Sequence, residues 1–168
     1  TTEITMNTEL LLVSLGGLFV LFSYLFLYFD NDSDKAWGGI EGQTRMLWVA
    51  STALTTVSYL FLWVSFVWLI EERSMLLLVS WMVFLTSAGQ WANITLIDVK
   101  EGRKSWFLLI NLWVTALACV GIFIVCFTTD SFLRPWLLAC STVMVLHHSL
   151  FDAVLWYRYF DPTAYRPL

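Results

Sequence analysis

Trp106–Phe127 reads WFLLINLWVTALACVGIFIVCF, 22 residues without one charged side chain. About 20 apolar residues are enough for an α-helix to cross a hydrocarbon core of ~30 Å. Four more runs of the same kind surround it: Leu10–Phe29, Met46–Ile70, Met75–Ile97 and Leu133–Tyr157, of 20, 25, 23 and 25 residues. The five runs hold 115 of the 168 residues, which leaves no room for a separate soluble domain. Inside a bilayer only a helix or a closed barrel satisfies its own backbone hydrogen bonds, and runs of this length call for helices. The expected fold is all-α: one transmembrane domain over residues 1–168, a polytopic bundle of five spans.

Charge and cysteine usage narrow the class further. A net charge of −4 argues against nucleic acid, which is bound through basic patches. No cluster of Lys or Arg marks an anionic-lipid anchor. Cys119, Cys126 and Cys140 all fall inside spans and read as small apolar packing residues, not as a disulfide framework. The start, Thr1-Thr2-Glu3, is acidic, so Leu10–Phe29 lacks the positive flank of a signal peptide.

Orientation follows from the short loops. Lys35, Arg45, Lys100, Arg103, Lys104, Arg158 and Arg166 lie on one side, and only Arg73 and Arg134 lie on the other. Seven against two puts the C-terminus on the cytosolic (or matrix or stromal) side and the N-terminus outside. The connection Glu71–Ser74 is short enough to make spans 2 and 3 an antiparallel hairpin. Asp130 or Ser131 is expected to cap span 5, with Pro135 in its first turn.

Ten Trp residues fit a membrane setting. Trp48, Trp68, Trp106, Trp136 and Trp156 lie near span ends, where an indole suits the headgroup level. Ser51, Thr55, Ser58 and Ser65 form one stripe along span 2, the pattern of a helix–helix contact. Depth and direction combine to place polar side chains from four spans in one layer of the inner half. They are Ser51, Thr52 and Thr55 of span 2, Gln90 and Asn93 of span 3, Asn111 of span 4, and His147, His148 and Asp152 of span 5. His148 and Asp152 are four residues apart and face the same way, whereas His147 points about 100° away in a regular helix. Three readings compete for this layer: a hydrogen-bonded packing network, a small-molecule or pigment pocket, and a metal site or proton relay built on His147, His148 and Asp152.

The loop Asp30-Asn-Asp32-Ser-Asp34-Lys-Ala-Trp-Gly-Gly-Ile-Glu41 is similar to an EF-hand loop. Asp30, Asp32, Asp34 and Glu41 occupy the oxygen-donor positions for Ca²⁺, Ala36 the carbonyl position and Trp37 the apolar one. Lys35 stands where the pattern has Gly for its sharp turn. In gross features, five spans and abundant Trp, the chain is similar to the tryptophan-rich translocator proteins, which bind tetrapyrroles and sterols. The likeness stops at composition: that family's Pro- and Trp-rich signature is absent, with Pro135, Pro162 and Pro167 the only prolines.

The sequence offers no G-x-S-x-G, H-E-x-x-H, paired cysteines or multi-His cluster, and no selectivity filter or repeat symmetry. Elimination leaves a non-catalytic subunit or binding module of a larger membrane assembly. It would be embedded in lipid beside other membrane subunits or copies of itself. The alternatives are a membrane-embedded pigment-binding or transport protein and a metal-assisted membrane enzyme using His147, His148 and Asp152.

Overall fold

The computed structural model describes residues 13–20, 22–23, 35–70 and 74–164, which form helices and turns with no strand among them. Residues 13–20 and 22–23 are helical (α1). After a short 3₁₀ turn, Lys35–Trp37, come α2 (Gly42–Leu69), α3 (Met75–Glu101), α4 (Trp106–Thr128) and α5 (Arg134–Tyr159). These last four are each long and apolar enough to cross a membrane. The remainder of the run Leu10–Phe29, and with it the fifth expected span, lies outside the described residues, as do Glu71–Arg73 of the 2–3 connection.

The helix ends have local causes. Ser74 accepts the Leu77 N–H at 3.1 Å and starts α3. Gly102, with φ of 62°, ends it in a left-handed cap, and the Arg103 N–H reaches back to the Asp98 carbonyl at 3.1 Å. Ser105 starts α4 by accepting the Leu108 N–H at 3.2 Å. At α5 the expected cap is displaced. The N-cap position is Leu133, and Ser131 instead takes the Leu133 N–H at 3.2 Å, which holds the turn before the helix. Pro135 does sit in the first turn, where a missing N–H is harmless.

α3 packs along α4, α4 along α5 and α5 along α2, so the four long helices form a bundle. Tyr59 of α2 meets Trp81 and Phe84 of α3 with ring centroids 5.1 and 5.8 Å apart, which closes the circuit. α1 lies against the same two helices: Gly16 faces Leu85, Gly17 faces the Tyr59 hydroxyl, and Phe19 sits on Gly89. Close approach matters at Gly121 of α4, where a Cβ would collide with Ser80 of α3. The core is apolar, with Leu62, Leu108, Ile122, Leu137, Met144, Cys119 and Cys126 fully buried. Cys119, Cys126 and Cys140 are free thiols, as their packing role requires.

One end of the bundle gathers the basic loops. The Asp161 N–H donates to the Gly38 carbonyl at 2.9 Å, and Phe160 packs on Gly38. Lys104 lies 4.5 Å from the Tyr157 ring centroid. The described part of the tail, the 35–41 turn and the 102–105 loop therefore share an end. Burial pulls the Lys104 ammonium below the usual lysine range, against the pull of Asp161.

Two Trp positions correct the expected aromatic belt. Trp68, Trp106 and Trp136 are exposed at helix ends, but Trp48 and Trp156 are buried. Trp156 stacks on Phe160, with centroids 4.5 Å apart, in a second small core under the basic loops.

Candidate functional site

The backbone of α5 departs from α-helical hydrogen bonding over His147–Trp156, which is a π-helical stretch of 10 residues. This alters the angular bookkeeping at the residues of interest. In a regular helix His147 and Asp152, five apart, point about 140° away from each other. The wider i→i+5 winding brings them to one side. His148 Nδ1 lies 2.9 Å from Asp152 Oδ2 and His147 Nε2 lies 3.4 Å from the same oxygen. The expectation that His147 faces away from this pair is corrected by that winding. Its other nitrogen, Nδ1, is 2.8 Å from Ser51 Oγ of α2.

The cluster is enclosed. His147 and His148 are buried and Asp152 is half-buried. The two imidazoles meet edge to face with centroids 4.8 Å apart, and Phe84 of α3 covers His148 at 5.3 Å. His148 Nε2, fully buried, meets no hydrogen-bond partner. Buried polar groups in folded proteins are nearly always paired, so an orphaned imidazole nitrogen is an exception to be explained. Three further orphans, Trp48 Nε1, Thr55 Oγ1 and Ser65 Oγ, lie on α2, the helix that carries Ser51.

The rest of the expected layer does not converge here. Thr52 bonds the Trp48 carbonyl of its own helix at 2.9 Å. Thr55 is buried on the face shared with α5 but is unpaired. Asn111 points to α3, where its amide donates to the Ser87 carbonyl at 2.9 Å. Gln90 and Asn93 are exposed and turn away from the bundle. A shared depth does not fix which way a helix is rotated. Of the candidate Ca²⁺ ligands, Asp30, Asp32 and Asp34 lie outside the described residues, and Glu41 is exposed at the N-cap of α2 without a side-chain bond. Positive φ falls not at Lys35, where the EF-hand pattern has its Gly, but at Gly38 and Gly39, with φ of 52° and 79°. The described part of the loop thus lends the calcium expectation no support.

Asp98 was missed in the sequence. It is 1% exposed, and its Oδ2 accepts both the Ser105 N–H at 2.8 Å and the Ser105 hydroxyl at 3.0 Å. The signal was a Ser three residues before Leu108 with an acid seven residues upstream, which ties the cap of α4 to the last turn of α3.

No known protein family, characterised protein or solved structure matches this chain.

Proposed function

We propose that the chain is an integral membrane protein, with its N-terminus outside and its C-terminus on the cytosolic (or matrix or stromal) side, that works as a subunit of a larger membrane assembly. One observation carries the subunit reading: the exposed face of α3 bears Thr86, Gln90 and Asn93 in the middle of an otherwise apolar stripe of Val79, Val83 and Ile97. At 1.5 Å per residue this helix of 27 residues is about 40 Å long, so it overhangs a ~30 Å core by about 5 Å at each end. Asn93 and Gln90 stand eight and eleven residues before Glu101, about 12 and 17 Å from the inner end, and hence within hydrocarbon. A primary amide facing lipid tails gives up its hydrogen bonds, whereas an amide between helices keeps them. The partner that fits is another transmembrane helix presenting polar side chains at the same depth.

Native mass spectrometry of the protein extracted from its own membrane in mild detergent tests this. The expected spectrum shows a complex, and Gln90→Leu combined with Asn93→Leu reduces it to a folded monomer. A parent protein that is itself monomeric, or a complex indifferent to the double substitution, would overturn the reading.

A further inference from the structure

We propose that His147, His148 and Asp152 bind a divalent transition-metal ion such as Zn²⁺ inside the bundle. The site is independent of assembly through α3. The donor set suits such an ion: two imidazole nitrogens and one carboxylate match zinc and its neighbours, whereas Ca²⁺ and Mg²⁺ want oxygen alone. The donors already converge, since one ligating atom from each residue lies within 4.8 Å of the others. Metal bonds of about 2.0–2.2 Å place two donors of a tetrahedral site about 3.3–3.5 Å apart. His147 Nε2 and Asp152 Oδ2 are 3.4 Å apart. His148 Nδ1 and the same oxygen, at 2.9 Å, are at hydrogen-bond length and need to open by about half an ångström.

The surroundings match as well. A ligating histidine almost always uses its second nitrogen to hold a fixed partner, which orients the ring. His147 has one in Ser51 Oγ, 2.8 Å from Nδ1. In the metal-free network Asp152 Oδ2 is hydrogen-bonded to His148 Nδ1 at 2.9 Å, while His147 Nε2 stands 3.4 Å from the same oxygen. Coordination moves each ring proton to the far nitrogen: to Nδ1 of His147, where Ser51 accepts it, and to Nε2 of His148, which has no protein partner. Of the two rings, therefore, only His147 has its second nitrogen held by a protein group. Three protein ligands leave a fourth position open, the arrangement of metal sites that bind a water or small anion.

The test uses the full chain in detergent, stripped with a chelator and titrated with Zn²⁺ by calorimetry. Co²⁺ serves as a spectroscopic probe of the coordination geometry. One Zn²⁺ per chain and the intense visible bands of four-coordinate Co²⁺ are expected. His147→Gln and Asp152→Asn should each weaken Zn²⁺ at least a hundredfold, while circular dichroism stays that of the parent. Should either variant fail to fold, Ser51→Ala leaves all three donors in place and should weaken Zn²⁺ about tenfold through the lost second partner. No saturable binding in the parent overturns the proposal. So does Zn²⁺ binding that persists unchanged in the folded donor variants or in Ser51→Ala, which would place the ion on surface carboxylates or cysteines.

Discussion

Two helix pairs in this bundle treat their buried polar groups differently. Between α3 and α4 the polar atoms close on one another: Asp98 holds both donors of Ser105, and Asn111 holds the Ser87 carbonyl. Thr95 Oγ1 of α3 is a buried exception. On α2 and α5 the Ser51–His147 bond is made, but four buried polar atoms are left over: Trp48 Nε1, Thr55 Oγ1 and Ser65 Oγ on one helix and His148 Nε2 on the other. The same two helices carry the two π-helical stretches found among the described residues, Ser65–Leu69 and His147–Trp156. A π-turn gives up regular backbone geometry and recurs where a side chain must be re-aimed. The α3–α4 pair is built as structure. The α2–α5 pair keeps donors and acceptors that its own packing does not use.

The largest stability effect should therefore come from α3–α4. Asp98→Ala strands a buried N–H and a hydroxyl, and should cost about 2–4 kcal/mol in a denaturant titration of the solubilised protein. A loss below 1 kcal/mol would mean that water reaches Ser105 and that this pair is no better sealed than the other. Gly121→Leu comes next, because its side chain must displace Ser80 across the tightest α3–α4 approach. Overpacking of this kind costs about 1–3 kcal/mol, and a variant as stable as the parent would show the two helices free to separate. Asp152→Asn in the metal-free protein should fall below about 1 kcal/mol, since the amide oxygen still accepts from one ring.

The smallest effect lies in the C-terminal turn. Two bonds from Thr163, one from its hydroxyl and one from its N–H, hold the Asp161 carboxyl below the usual carboxylate range. The depressed value means that the bond's contribution is present above the unfolded carboxylate's pKa and is lost as pH falls through the folded one. Protection of the Thr163 amide, taken as its exchange relative to the intrinsic rate at each pH, should fall on acidification through that range, and Asp161→Asn should remove that change.

Much of the architecture was legible because an apolar run longer than a bilayer is thick has few other solutions. Met75–Ile97 became α3 ending at Glu101, and Trp106–Phe127 became α4 ending at Thr128. Of the stripe Ser51, Thr55, Ser58 and Ser65, the last three are buried and Ser51 is half-buried. What the sequence hid was rotation and phase. Gln90 and Asn93 have the depth of the polar layer but face outward, and only the positions of α1 and α4 decide which side of α3 is covered. His147 joined Asp152 through a change in helical winding that no residue pattern announces. Trp48 and Trp156 lie at span ends as an interfacial belt requires, yet the docked tail and the 35–41 turn bury that end of the bundle.

The contrast between the two pairs is tested most directly by one paired measurement: unfolding midpoint of the metal-free protein together with Zn²⁺ affinity, for Asp98→Asn and Asp152→Asn side by side. Asp98→Asn should lower the midpoint and leave Zn²⁺ binding untouched. Asp152→Asn should leave the midpoint near the parent's and lose Zn²⁺. If Asp152→Asn instead destabilises the metal-free protein as much as Asp98→Asn and binds Zn²⁺ like the parent, the α2–α5 cluster is packing and the account is wrong.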